Sequence, residues 1–301
     1  MIATIATALY NLAFVMLLAP LFSGITRKLR ARLHSRQGPP VLQPYYDLLK
    51  LMGKDDCQVS PDFVHRAAPM LVFTGAIAAA LLVPMGVPAP LGFTGDGLVF
   101  IYLLTLSAIG TVLAGLSSRN PFAATGASRE MMLLLVVEPV MAAAFFTFGA
   151  KVGSLGLWDI ATRVGETGFA PSLLIAFIAG LLVVQAESAK LPFDLAEAET
   201  ELAGGVYLEY SGISLAAFEW AMMIRRVVLA SFLATLLGTW APASAPWLGL
   251  LVHPLKVLLL LCLVEVLAVL NPRVRISEAM RFYEGAGALA LAGLLTAVFG
   301  M

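Results

Sequence analysis

Eight long apolar runs, each poor in charge, constrain this chain more than any other feature. They are Ala3–Ile25, Ala67–Val87, Leu98–Leu116, Met131–Ala150, Pro171–Ser188, Ile213–Trp240, Trp247–Leu270 and Gly285–Met301. A helix that crosses the hydrocarbon core of a bilayer takes about 20 such residues, and the last run, at about 17, is within range. Of the 301 residues, 60% are hydrophobic and 13% charged. Soluble domains carry about 25% charged residues, so a water-soluble fold would lack the polar surface to cover its core. The sequence predicts an all-α polytopic membrane bundle of about eight transmembrane helices, with residues 1–301 as a single integral membrane domain. The first run reads as a span and not as a cleavable signal, because its basic residues follow it.

Lys and Arg set the expected orientation. The connections after the first, third, fifth and seventh runs hold fourteen of these residues, and the alternate connections hold two, Lys151 and Arg163. The odd connections are therefore expected on the cytoplasmic side, with both termini outward. A net charge of zero gives no electrostatic case for a nucleic-acid partner. Cys57 and Cys262 are far apart, His34, His65 and His253 are scattered, and no haem, iron–sulfur, zinc or nucleotide signature occurs.

Charges inside the runs are the informative residues. Glu138 lies in the fourth run, Glu187 ends the fifth, Glu219, Arg225 and Arg226 fall in the sixth, and Lys256 and Glu265 in the seventh. Each costs at least a few kcal/mol if it faces lipid, so they must face one another, water or another subunit. One such residue is as well explained by a structural ion pair as by function. Seven in four helices favour a polar pathway.

The densest cluster follows the fifth run, in an acidic connection over residues 189–212. Pro192 should end the helix, and Asp194 suits the N-cap of a new one. On that helix Asp194, Glu197 and Glu201 recur at spacings of three and four, giving one acidic face, and Glu209 follows. Crowded carboxylates repel, which raises some pKa values and suits them to proton relay near neutral pH. A second long connection, over residues 26–66, is basic from Arg27 through Arg30, Arg32 and Arg36, then turns at a Gly-Pro-Pro sequence. Residues 42–52 carry apolar positions at helical spacing and are expected to lie in the interface or beneath a partner.

These segments resemble a known family. Arg30-Ala-Arg-Leu-His-Ser-Arg-Gln-Gly-Pro-Pro-Val-Leu-Gln-Pro with Asp47-Leu-Leu-Lys-Leu, and Leu191-Pro-Phe-Asp-Leu-Ala-Glu-Ala-Glu-Thr-Glu-Leu with Glu209-Tyr-Ser-Gly, are similar to the complex I subunit 1 family. Asn120-Pro-Phe-Ala-Ala-Thr-Gly-Ala-Ser-Arg-Glu-Met with Val137-Glu138-Pro139 looks like its branch in energy-converting nickel–iron hydrogenases, of the formate hydrogenlyase and hydrogenase-4 type. The quinone-binding branch usually has Asn-Lys-Tyr in that connection and Ala-Glu-Tyr in the sixth helix, where this chain has Phe218-Glu-Trp.

The resemblance implies a bacterial plasma-membrane subunit with antiporter-like central helices and no redox centre of its own. The nickel–iron centre and iron–sulfur clusters would sit in partners: hydrogenase large and small subunits and an iron–sulfur subunit, beside antiporter-like membrane subunits. It implies a proton path through Glu138, Glu187, Asp194, Glu197 and Glu201, to which the charge pattern adds Glu209, Glu219, Lys256 and Glu265. Partner docking would fall to Arg27, Arg30, Arg32, Arg36, Asp47, Lys50 and Arg129. Two alternatives stay open: the quinone-site subunit of an NADH dehydrogenase, and a freestanding secondary transporter. Transporters commonly show two similar halves, which are not visible in this sequence.

Overall fold

The computed structural model describes residues 2–57, 62–165, 170–238 and 248–299. Within them the chain is helical, with no strand among the described residues. In chain order the helices are α1 (Ile2–Leu33), α2 (Gln43–Met52), α3 (Phe63–Leu82), α4 (Asp96–Ser117), α5 (Pro121–Val152), α6 (Leu157–Arg163), α7 (Pro171–Glu187), α8 (Glu199–Leu202), α9 (Gly212–Leu236), α10 (Leu248–Leu270) and α11 (Ile276–Val298), with a 3₁₀ turn at Gly205–Tyr207. Eight of them, α1, α3, α4, α5, α7, α9, α10 and α11, cover the eight apolar runs. Five of the described helices, α1, α3, α4, α5 and α10, are long and apolar enough to cross a membrane. The expected limits at Trp240, Trp247 and Met301 lie outside the described residues.

Local chemistry explains several helix ends. Pro121 occupies the first turn of α5, where a missing N–H costs nothing, and the Asn120 side chain accepts a hydrogen bond from Phe122 N at 2.9 Å, as an N-cap should. The other end stops at Gly153, whose positive φ closes the helix with a bond to Gly149 O at 2.8 Å. Helices also continue past the charges at which the apolar runs stop. α1 carries Arg27, Arg30 and Arg32 on its last turns, α5 starts ten residues before Met131 and so carries Arg129 and Glu130, and α11 starts at Ile276 rather than Gly285. The hydropathy pattern marks where lipid ends, and capping marks where the helix ends.

The bundle is built around α9. Of its 25 residues 18 are buried, on every face from Ala221 onward, which identifies an interior helix. It touches α1, α2, α3, α6, α7 and α10, and α5 forms a second centre against α4, α7 and α11. Small residues let the backbones approach: Gly75 of α3 meets Ser107 of α4, whose hydroxyl donates to Val72 O at 3.0 Å. The outer face is apolar instead, with Leu17, Tyr102, Leu135, Leu255 and Leu291 all more than half exposed. So much contiguous exposed apolar surface requires lipid or a partner.

One expectation fails. No helix starts at Asp194 with Asp194, Glu197 and Glu201 on a common face. The chain turns through residues 189–198, and only Glu199–Leu202 is helical, starting after Ala198. Tertiary burial overrides the local cap signal. Phe193, Leu195, Ala196 and Ala198 are buried, with the Phe193 ring packed at a tilt against the Tyr283 ring, centroids 4.8 Å apart, and Val274 N donates to Pro192 O at 3.3 Å. The segment is locked by Gly205, whose φ is +57° and whose absent Cβ would run into the carbonyl oxygen of Ala196. Gly204 also has a positive φ, but nothing lies within 4 Å of a Cβ built there. Gly205→Ala should therefore lower the melting temperature of the purified protein markedly more than Gly204→Ala, which adds backbone strain alone, about 1–3 kcal/mol. Equal shifts would show that the Ala196 contact does not hold this segment.

Candidate functional site

Arg225, in the middle of α9, is 1% exposed. A guanidinium in an apolar interior must be paired, and its partner is Glu187, the last residue of α7. The next residue, Arg226, donates from Nε to Ser188 O at 2.9 Å. Two successive cations of α9 thus clasp the end of α7 where it turns into the acidic segment.

Carboxylates extend from this pair in both directions. On α5, Glu130 and Glu138 are eight residues apart, on one helix face and separated by about 12 Å. Both are half-buried and both lie within electrostatic range of Arg225 and Glu187. Glu138 meets the Thr105 hydroxyl of α4, and its Oε1 is buried with no hydrogen-bond partner among the described residues. Toward the acidic segment, Glu130 is in range of Glu197, which also feels Arg226, Glu219 and Asp194. Burial, offset in part by Arg226 and reinforced by these neighbouring carboxylates, pushes the Glu197 carboxyl up to about 8. A carboxyl in that range exchanges its proton near physiological pH. The buried Tyr207 hydroxyl stands near Glu197 and Glu130 and has no hydrogen-bond partner among the described residues.

A second cluster centres on Glu265 of α10, which is almost fully buried. It pairs with Arg30 of α1 and, at 3.1 Å, with Lys190 Nζ. Burial, with Arg226 and Arg30 nearby, pulls Lys190 down to about 8 despite Glu265.

The structure thus gathers Glu138, Glu187 and Glu197 into one run, with Glu219 at its exposed end, and sets the other candidates apart. Asp194 pairs with Arg273 at 2.6 Å. Glu201 pairs with Arg129 at 2.7 Å, and that hydrogen bond and charge hold its carboxyl below the usual range. Glu209 accepts from the Asn120 side chain. Lys256 is buried and donates to Gly238 O, about 13 Å along α10 from Glu265. Of the basic candidates, Arg27 pairs with Asp47 at 3.4 Å and Arg30 and Arg129 turn inward, whereas Arg32, Arg36 and Lys50 are exposed. Sequence reading missed Glu130 and Tyr207. The signal for Glu130 was present, since Glu130, Leu134 and Glu138 fall at helical spacing, but Glu130 lies one residue before the apolar run. Among the described residues no group of three His, Cys, Asp or Glu is placed to hold a metal ion.

The comparisons agree with this architecture. Residues 5–298 match the family described as NADH dehydrogenase. The chain is 34% identical to hydrogenase-4 component C of Escherichia coli (strain K12), over 84% of this chain and 81% of that protein. It is 35% identical to formate hydrogenlyase subunit 4 of the same organism, over 83% of each. Its fold matches a chain of the membrane-bound sulfane sulfur reductase, an archaeal respiratory membrane complex, with a TM-score of 0.90 and 26% identity, covering 98% of this chain and 99% of that one. These relatives are subunits of respiratory-type membrane complexes. A bundle of lipid-suited helices, clasped ionisable residues at its centre and a family match over nearly the whole length lead to one assignment: the chain is a multi-pass membrane protein of the NADH dehydrogenase family, the family of complex I subunit 1.

Proposed function

We propose that this chain anchors the peripheral redox arm of a membrane-bound nickel–iron hydrogenase complex in a bacterial inner membrane and couples it to antiporter-like subunits by moving protons. The observation that carries the proposal is the run of ionisable groups from Glu138 through Glu187, Arg225 and Glu130 to Glu197, which joins the bundle interior to the acidic segment. The likeness to hydrogenase-4 component C and formate hydrogenlyase subunit 4 supports the hydrogenase assignment. The charge bias supports a cytoplasmic location for the acidic and basic segments, with both termini outward. The surface around Arg32 and Arg36 is the proposed dock for hydrogenase large and small subunits and an iron–sulfur subunit, where electrostatic matching would fix the register. On this reading the nickel–iron centre and the clusters belong to those partners, and this chain contributes position and proton traffic.

A second reading, the quinone-site subunit of an NADH dehydrogenase, is favoured by the family's own description. Metal analysis of the intact complex separates the two. The hydrogenase reading expects nickel to co-purify with the wild-type complex, and Arg32→Glu with Arg36→Glu to release the nickel-bearing arm while this chain stays in the membrane. Flavin and quinone without nickel would establish the second reading.

The run itself makes two further predictions. Glu187→Gln leaves Arg225 without its counter-charge, and breaking a buried pair costs roughly 3 kcal/mol or more. The single variant should therefore melt earlier, and Glu187→Gln with Arg225→Gln should recover much of the loss. Glu197 makes stability depend on pH in a definite direction. Its carboxyl titrates near 8 when folded, against an ordinary value of 4.5, so the folded chain holds a proton that the unfolded chain has released. Raising the pH through 8 removes that contribution. The wild-type complex should lose stability from pH 6 to pH 9 more steeply than Glu197→Gln. Parallel curves would place the titration elsewhere.

A further inference from the structure

A cavity of about 460 Å³ opens between α1, α2, α9 and the start of the acidic segment. That volume suits a bound small molecule or headgroup. Six cations line it: Arg27, Arg30, Lys50, Lys54, Lys190 and Arg226. Two carboxylates share the lining, Asp47 and Glu219, and Asp47 is already engaged by Arg27 and by the Gln43 amide at 2.9 Å. Glu265 lies behind the wall and holds Arg30 and Lys190. Positive charge still exceeds negative. Arg226 and Arg30 lie close enough to Lys190 to oppose its protonation, and Arg30 Nη2 is buried with no hydrogen-bond partner among the described residues. Crowded cations with an unused donor form a site suited to an anion.

The walls indicate what form the anion takes. The cavity is not polar throughout, because Leu48, Leu51 and Met223 complete its lining. α2 turns Asp47, Lys50 and Leu51 toward the cavity and exposes Tyr46, Leu49 and Met52 on its other flank, at a spacing of three that makes one stripe. A short helix with a charged flank and an exposed apolar stripe lies in the plane of a membrane surface. With α2 in that plane, the cavity would open at the level of lipid headgroups, with an apolar surface beside it for acyl chains. Basic pockets between membrane helices at this depth take phosphate-bearing headgroups.

We propose that this cavity binds the phosphodiester headgroup of an anionic phospholipid, held by Arg30, Lys50, Lys54 and Arg226, with the acyl chains along the apolar stripe of α2. The bound lipid fills the groove between α2 and the bundle, neutralises the cations and fixes the floor on which the basic tip at Arg32 and Arg36 stands. The proposal does not depend on the identity of the peripheral arm.

The test uses the intact complex, equilibrated with vesicles of equal parts phosphatidylglycerol and phosphatidylcholine, then purified and washed in detergent, with retained lipid measured by mass spectrometry. The wild type should retain phosphatidylglycerol roughly tenfold over phosphatidylcholine, and Lys50→Gln with Lys54→Gln should lose most of that preference, since each cation at a lipid surface contributes a several-fold factor. Both lysines are exposed, so the variant should melt with the wild type. Arg32→Gln with Arg36→Gln, outside the cavity, should keep the lipid even where it loosens the arm, which separates failure of this proposal from failure of the docking assignment. Equal retention of the two lipids, or unchanged preference in the Lys50/Lys54 variant, would overturn the proposal. Displacement of phosphatidylglycerol by inorganic phosphate at matched ionic strength would overturn the lipid assignment in favour of a free anion.

Discussion

Arg225 is a permanent cation in the middle of the most buried helix, and the surrounding arrangement answers to its charge. A guanidinium cannot shed its proton to escape burial, so it needs a carboxylate close by. Glu187 supplies one by standing at the last turn of α7, and α7 ends there. Arg226 secures the next carbonyl. This clasp fixes where the chain leaves the bundle to enter the acidic segment, and with it the positions of Glu197, Asp194 and Glu201. A buried pair of this kind is weak evidence for stability. Its value lies in position: it sets two helices and a crossing segment in one register and puts a charge of each sign within range of Glu130 and Glu138.

Around the clasp the charges fall into groups with different consequences. Pairs such as Asp194–Arg273 and Glu201–Arg129 hold the acidic segment onto the connection between α10 and α11 and onto α5, and partly exposed pairs of this type contribute little on their own. Glu130 and Glu138 are half-buried carboxyls that share Arg225 with Glu187, and half-buried Glu197 lies in range of Arg226 and of three other carboxylates, an arrangement that lets a carboxyl hold and release a proton. Glu265 is shared in the opposite sense, one carboxylate between two cations. It leaves the wall of the basic cavity short of negative charge.

Much of this was legible in the sequence, and for simple reasons. Burial in lipid demands long apolar runs, so the eight helices could be placed. Ionisable residues inside those runs are costly, so Glu138, Glu187 and Arg225 stood out as candidates. What failed was reasoning over short range where long-range packing decides. Asp194 had the right local context for an N-cap, yet Phe193, Leu195 and Ala196 are buried against distant helices and the segment turns instead of coiling. Glu130 sits one residue outside an apolar run, and only the capped start of α5 at Asn120 makes it helical. Which cation serves which carboxylate, as with Arg30 and Glu265, comes from tertiary contacts that no spacing rule contains.

The central claim is that the carboxylates of α5, α7 and the acidic segment act as one proton-conducting run. Glu130 tests it most directly, because it joins the Arg225–Glu187 clasp to Glu197 and forms no part of the clasp itself. The measurement is proton movement by the intact complex in sealed vesicles, with redox turnover followed in parallel. The account predicts that Glu130→Gln assembles and retains redox turnover but moves several-fold fewer protons for each electron pair. Unchanged proton movement per electron pair in an assembled Glu130→Gln complex would contradict it.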